Sequence, residues 1–162
     1  MNRSISKISY CEHISLVTLS SLPCDSKAVS QVLTAFADQE INVDMISQTA
    51  PQGGTIRLSF TVSDQALSSA LTLLGQLRGQ RSELLPEVLP GNAKISFYDA
   101  NMVNTPGVAA QVFALLSELG IQVMLITTSD VDISILINQH DLPEALHAVT
   151  QHYQLTPEAC TF

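Results

Sequence analysis

Ala37-Asp-Gln-Glu-Ile-Asn-Val-Asp-Met-Ile-Ser47 is the stretch that decides the fold, because its pattern returns 80 positions later as Ser117-Glu-Leu-Gly-Ile-Gln-Val-Met-Leu-Ile-Thr127. Each copy reads as the end of a helix, a short turn and an apolar strand that leaves on a hydroxyl residue. The same order of elements at a fixed period indicates two copies of one structural unit. The sequence therefore predicts two similar units in one chain.

The flanks of the two copies extend the repeat. Apolar residues at helical spacing precede each copy: Val29, Val32, Leu33 and Phe36, and then Val108, Val112, Phe113, Leu115 and Leu116. Alternating or apolar runs predict strands before each helix and after each copy, at Ile14–Ser20, Thr55–Val62, Ala93–Tyr98 and Val131–Ile137. The pattern thus predicts the element order βαββαβ in each unit. This order is typical of an α+β ferredoxin-like fold, with antiparallel sheets and helices on one face.

The last strand of each unit is the less regular part of the pattern. The first unit closes with an edge strand over Glu83–Leu89, where prolines do least harm, whereas no strand follows the last helix of the second. The unassigned segment Ser4–Tyr10 alternates cleanly, so we expect it to complete the second sheet. The predicted first unit (residues 14–90) is then inserted in the second (residues 3–13 plus 91–156), and truncation of the first ten residues should destabilise the second unit.

Composition limits the partners. Of 162 residues, 46% are hydrophobic and 14% charged, so we expect part of the apolar surface to meet a second chain. The net charge of −8 lacks the basic footprint that nucleic acid requires. No run resembles a signal peptide or a membrane span, and we expect a cytoplasmic protein. Cys11, Cys24 and Cys160 form no metal-type pair and predict reduced thiols.

Signs of catalysis are weak. No phosphate-binding glycine motif and no carboxylate pair of fixed geometry occurs, so no cofactor is expected. Glu144 and His147, three apart on a helix that begins near His140, allow a metal site, but a solvated helix face explains them better. The strongest local feature is the loop Asn101–Ala110, where Pro106-Gly107 opens a helix whose free N–H groups suit the carboxylate of an amino acid. An ordinary capped turn is the alternative.

These residues resemble the tandem ACT domains of the regulatory, C-terminal or small-subunit region of aspartokinase, over roughly Ile5 to Leu155. The resemblance rests on five segments: Glu40–Ile46 with Gln48, Ser59–Val62, Met102–Ala109, Ile126–Ile137 and Leu142–Leu155. It implies the interleaved arrangement, homodimerisation through ACT sheets and a lysine- or threonine-like effector at the interfaces. Nothing in the chain resembles the kinase domain of that family, so the resemblance implies that this chain has no enzyme activity of its own.

The resemblance also implies effector contacts in both units. In the second unit they are Met102, Thr105, Gly107, Val108, Ala109, Gln122, Val123, Thr128, Ser129 and Asp130. In the first unit they are Asp25, Ser26, Lys27, Ala28, Asn42, Val43, Asp44, Met45 and Gln48. This second set is expected to be the weaker site, because Ser26-Lys27 replaces proline-glycine and the Cβ of Lys27 obstructs approach to the helix. Met124 stands where the family often has an acid, which removes one partner for an ammonium group.

The predicted function is non-catalytic regulation by a small amino acid, passed to a partner such as a kinase subunit. One alternative is a scaffold or dimerisation module whose ligand sites have decayed. The other is a regulatory fragment of a full aspartate kinase.

Overall fold

The computed structural model describes residues 5–160 as a mixed α+β protein, which confirms the predicted fold class. Its strands are β1 (Lys7–Pro23), β2 (Asp44–Gln48), β3 (Thr55–Ser63), β4 (Leu85–Tyr98), β5 (Val123–Thr128), β6 (Asp132–Asn138) and β7 (Glu158–Ala159). Its helices are α1 (Ser26–Asp38), α2 (Leu67–Gln80), α3 (Val108–Glu118) and α4 (Leu142–Tyr153). Within the described range, no helix is both long and apolar enough to cross a membrane.

The chain divides into two compact units. The first unit is His13–Pro90, and the second comprises the described residues up to Glu12 and from Gly91 onward. Strands β1 and β4 each pass from one unit to the other. A left-handed residue stands at both crossings, His13 with φ 60° and Gly91 with φ 74°.

Two pairs of separately predicted strands are therefore continuous in the structure. Ile14–Ser20 and the Lys7–Tyr10 part of the predicted strand Ser4–Tyr10 belong to the single strand β1, whereas Ile5 and Ser6 precede it and Ser4 lies outside the described part of the chain. Ala93–Tyr98 and the Leu85–Leu89 part of the predicted strand Glu83–Leu89 likewise belong to β4, and Glu83 and Leu84 precede it. Each strand continues past its left-handed residue, which interrupts the alternation of the sequence without ending the strand.

The first unit has its strands in the order β4-β1-β3-β2. Strands β1 and β3 run antiparallel from the Ile14–Ser63 pair to the Leu19–Leu58 pair. Phe36 on α1 and Phe60 on β3 are fully buried and meet edge to face, with ring centroids 4.9 Å apart. Helix α1 thus packs on the sheet, and the contact between the two aromatic rings lies near the C-terminal end of this helix.

The second unit has the order β1-β4-β6-β5. Its core includes Ile5 and Ile8, which come from the N-terminal segment and are at most 1% exposed. Helix α3 buries Val108, Val112 and Leu116. These are the positions 80 residues after the buried Ala28, Val32 and Phe36 of α1, so the two helices use the same face.

Helical periodicity alone overstated the buried face. Val29 and Leu33 share the helical spacing of the buried Val32 and Phe36, but both are only partly buried, and Phe113 is 38% exposed. Where the apolar side of a helix is wider than the area in contact with the sheet, the apolar residues at its margins are exposed to solvent.

The C-terminal segment differs most from expectation. A two-residue strand, β7, follows α4 and pairs in parallel with Ser9 and Tyr10 of β1. Cys11 and Cys160 form a disulfide, and Cys24 is free and exposed. The prediction of three reduced thiols is therefore wrong for this pair, because the fold brings together residues that are 149 positions apart.

Candidate functional site

The N-terminus of helix α1 is capped by an acidic side chain of the chain itself. The carboxylate of Asp25 is the N-cap and accepts a hydrogen bond from the backbone N–H of Ala28 at 2.6 Å. The loop before it is held by a hydrogen bond from Cys24 N–H to the carbonyl of Gly54. A carboxylate at this position satisfies one of the free N–H groups and complements the positive end of the helix dipole. The helix terminus that an effector carboxylate would use is thus already partly occupied.

A cavity of about 530 Å³ opens beside this helix start. Three predicted site residues, Asp25, Ser26 and Gln48, line it together. The remaining lining residues are Cys24, Val29, Ser30, Leu33, Thr34 and Ile56. The cavity lining therefore combines the acid Asp25 and the amide Gln48 with a side of α1 that has both hydroxyl and aliphatic side chains.

The lining residues of α1 were missed as site residues, although a signal for them was present. Ser26, Val29, Ser30 and Leu33 follow helical spacing, so they share one side of α1. The apolar character of Val29 and Leu33 is equally typical of a core face, which conceals this role in the sequence. Both residues are partly exposed and line the cavity, and Val29 also packs against the first core.

The other predicted residues of the first unit do not join this cavity. Lys27 is exposed, whereas Ala28 is 1% exposed and belongs to the core. Asn42 is exposed before β2, and Val43 packs against the core. Asp44 begins β2 and pairs with Thr61, and Met45 is buried with a left-handed φ of 48°. Met45 therefore has a packing role in this structure.

In the second unit the loop before α3 is open at the same place. Gly107 is the N-cap with φ 95°, and no side chain caps the helix. Met102 starts a single 3-10 turn and packs against the core, and the hydroxyl of Thr105 donates to the carbonyl of Asn101 at 3.0 Å. Val108 is buried, whereas Ala109 is exposed. Among residues 5–160, no side chain is seen to accept a hydrogen bond from the first-turn N–H groups of α3.

The strand that follows α3 contributes exposed polar groups. Gln122 directly precedes β5, Val123 begins it and Thr128 ends it. The hydroxyl of Ser129 accepts from the N–H groups of Val131 and Asp132, at 3.3 and 3.1 Å, so it forms part of the turn. Asp130 is exposed in that turn. Unlike Ser129, Thr128 and Asp130 have exposed side chains that make none of the described hydrogen bonds of this turn.

The repeat relates the two candidate sites. Adding 80 positions moves Asp25, Val29 and Gln48 onto Thr105, Ala109 and Thr128, all predicted site residues of the second unit. Lys27 corresponds to Gly107 in the same way. One fold position therefore carries an acid in the first unit and a hydroxyl in the second, so the two helix starts differ in the charge at that position.

A larger cavity of about 610 Å³ lies between α1 and α2. Ala28 alone of the predicted residues lines it, beside Gln31 and Arg81, whose side chains are hydrogen-bonded at 2.5 Å. Size does not make it the better candidate, because the predicted polar residues converge on the smaller cavity.

Within residues 5–160, no three His, Cys, Asp or Glu side chains are grouped so as to hold a metal ion. Glu144 and His147 lie on an exposed face of α4, and His140 lies 3.4 Å from the carboxylate of Asp141.

Replacing Asp25 with alanine is expected to lower the free energy of unfolding by about 1 kcal/mol, because a helix cap is lost. Asp25→Asn keeps an acceptor oxygen and should change the free energy of unfolding by no more than a few tenths of a kcal/mol. Urea denaturation of the two variants measures the difference. Equal stability of wild type and Asp25→Ala would show that the 2.6 Å bond does not stabilise α1.

This chain is similar to aspartokinases and to regulatory subunits of that enzyme. Residues 95–153 match the family model described as an ACT domain. An aspartokinase of Bacillus sp. (strain MGA3) is 30% identical over 158 residues, which are 98% of this chain and 38% of that protein. The chain thus spans well under half of the curated relative it matches.

Two solved structures match over nearly their whole chains. The regulatory subunit of aspartate kinase from Thermus thermophilus, in a ligand-free form, is 27% identical with a TM-score of 0.83. The match covers 91% of this chain and 97% of that one. A chain from a crystal structure of aspartokinase alpha and beta subunits is 28% identical with the same TM-score, covering 93% and 99% respectively.

These matches confirm the resemblance to the ACT units of the aspartokinase regulatory region. The interpretation of this chain as regulatory agrees with these matches, since one solved chain that it resembles over 91% of its own length is a regulatory subunit of aspartate kinase.

Proposed function

We propose that this chain binds a small amino acid through its ACT units and passes the signal to an aspartate kinase catalytic chain or domain. The proposal places the protein in the cytoplasm, with a lysine- or threonine-like effector. The observation that carries it is the cavity in which Asp25, Ser26 and Gln48 converge.

Each candidate site has chemistry that suits one of the two charged groups of an amino acid. The Asp25 carboxylate attracts an ammonium group, and the Gln48 amide offers both a donor and an acceptor. The uncapped start of α3 at Gly107 offers N–H groups to a carboxylate. The residues of the second-unit site are Met102, Thr105, Gly107, Val108, Ala109, Gln122, Val123, Thr128, Ser129 and Asp130, as proposed from the resemblance.

Dimerisation through the sheets is part of the proposal. Ile46 on β2 and Ile126 on β5 are 46% and 37% exposed, and each strand is outermost in its unit's sheet. An exposed edge strand with a large apolar side chain favours pairing with another chain. The comparison structure contains aspartokinase alpha and beta subunits together, which supports a second kind of partner, a different subunit of the same enzyme.

The test is isothermal titration calorimetry of the full chain against a panel of amino acids that includes lysine and threonine. Binding of one of them should raise the melting temperature, because a ligand of the native state stabilises it. For an effector held through its ammonium group at Asp25, Asp25→Asn should weaken binding about tenfold or more. Asp38→Asn is the matched control, at the other end of the same helix.

The outcomes separate the parts of this proposal. If no amino acid gives heat or a thermal shift, effector binding is wrong. If one binds but Asp25→Asn leaves its affinity unchanged, the first-unit cavity is not the site.

A scaffold with decayed sites is the second candidate, and the Asp25 cap favours it, since this residue already occupies the helix start. Gly107→Val distinguishes the two, with Gly120→Val as control because Gly120 also has a positive φ and follows the other end of α3. A scaffold should keep its oligomeric state and its affinity for a partner kinase chain in both variants. A sensor should lose effector affinity only in Gly107→Val.

A further inference from the structure

The C-terminal tail returns to the strand on which the described chain begins. After α4 ends at Tyr153, β7 lies beside Ser9 and Tyr10, and the N–H of Cys160 donates to the carbonyl of Tyr10 at 2.8 Å. The Lys7 ammonium group lies 2.9 Å from the Glu158 carboxylate. Each of these contacts holds the tail at the outer edge of β1.

Without a covalent bond these contacts hold the tail weakly. Two residues of parallel pairing are far fewer than a stable strand needs, and chain ends with little burial fray. Both members of the Lys7–Glu158 pair are more than half exposed, so solvent and salt screen their attraction. The Cys11–Cys160 disulfide is therefore the contact that decides whether the tail stays in place.

The two cysteines differ in access. Cys11 is 3% exposed within β1, whereas Cys160 is exposed near the end of the tail. Their Cα atoms are 5.1 Å apart, inside the range that a disulfide spans. Cys24, also exposed, belongs to the first unit and lies on the loop before α1. The fold thus pairs one accessible thiol with one sheltered thiol and leaves the third out.

We propose that Cys11 and Cys160 are a redox modification site, closed by a low-molecular-weight disulfide of the glutathione class, that fixes the tail on β1. The exposed Cys160 thiolate attacks one sulfur of the small disulfide, forms a mixed disulfide and releases one small thiolate. The Cys11 thiolate then attacks the Cys160 sulfur and releases the second. Two protein thiols lose two protons and two electrons, and the small disulfide is reduced to two thiols.

Closing the bond has two physical consequences. It joins positions 149 residues apart, so it restricts the unfolded chain strongly and should raise the melting temperature. Opening it lets β7 leave, which exposes the backbone groups of β1 at Ser9 and Tyr10 to another strand or to a protease. A reduced chain and an oxidised chain therefore present different edges of the second unit.

The experiment incubates the full chain in glutathione buffers of increasing oxidised fraction, blocks free thiols with iodoacetamide and maps peptides by mass spectrometry. We expect a Cys11–Cys160 linked peptide and alkylated Cys24 in the oxidised samples. The oxidised chain should melt about 10 °C above the reduced one. Chymotrypsin should cleave at Leu155, in the tail, about tenfold faster in the reduced chain.

Variants assign the effect to the pair. Cys11→Ser and Cys160→Ser should both abolish the redox-dependent shift in melting temperature, and Cys24→Ser should retain it. Three alkylated cysteines in every buffer, or linkage through Cys24, would overturn the proposal. Equal melting temperature and equal cleavage of the linked and reduced chains would overturn the claim that the bond fixes the tail.

Discussion

Replacing Phe36 with alanine is expected to destabilise the first unit by about 3–5 kcal/mol, one of the largest effects of any single substitution in this chain. Phe36 is fully buried, and the change removes its edge-to-face contact with Phe60 together with its packing against the sheet. The vacated volume lies among rigid strand residues such as Leu58, which restricts collapse into the cavity. Because small units have total stabilities of about 5–15 kcal/mol, this loss removes a large part of the margin.

Urea denaturation followed by far-ultraviolet circular dichroism measures the loss. Phe113→Ala is the matched control: it deletes the same side chain from the equivalent stretch of α3, where the ring is 38% exposed. Its expected cost is a fraction of that at Phe36, because little buried area is lost. Similar midpoints for the two variants would show that Phe36 does not hold the core that the structure assigns to it.

The repeat made most of the fold predictable. An 80-residue offset that preserves helix, turn and strand is a constraint on the whole chain, and Ala28, Val32 and Phe36 recur as the buried Val108, Val112 and Leu116. Strand continuity was harder to predict. Strands β1 and β4 each continue past one left-handed residue, His13 or Gly91, and an interrupted alternation in the sequence is easily taken for a strand end.

The site was predictable only where local sequence determines it. Gly107 before a helix is a local signal, and the structure gives it the positive φ that glycine tolerates. The Asp25 cap was also local, since an acid three residues before Ala28 is a common helix start. The cavity wall at Val29 and Leu33 depends on where the sheet ends beneath the helix, which is tertiary information. The Cys11–Cys160 pair depends on the path of the whole chain.

The two units use one fold for different electrostatics. At equivalent positions, Asp25 supplies a negative charge to the start of α1, whereas Thr105 leaves the start of α3 uncapped. A helix start with its own carboxylate repels a ligand carboxylate and attracts an ammonium group. If both units bind effector, they therefore orient it differently, and removal of the Asp25 charge should weaken binding at the first-unit site only.

The double substitution Ile5→Ala and Ile8→Ala is expected to unfold the second unit and leave the first unit folded. Both side chains are at most 1% exposed in the second core, although they precede the whole first unit in sequence. Truncating a buried isoleucine to alanine costs about 2–5 kcal/mol, so two such changes approach the total stability of a small unit. Removing residues 1–10 should have the same result.

Hydrogen exchange with mass spectrometry reads the two units separately. Amides of β6 and α3 should lose protection in the double variant, whereas those of β3 and α1 should keep it, because the first core contains neither isoleucine. Glu12→Ala, an exposed change on the same strand, is the control and should leave both units protected. Equal loss in both units would mean that they unfold as one body. Protection retained in both would contradict the assignment of the N-terminal segment to the second core, and with it the insertion of one unit in the other.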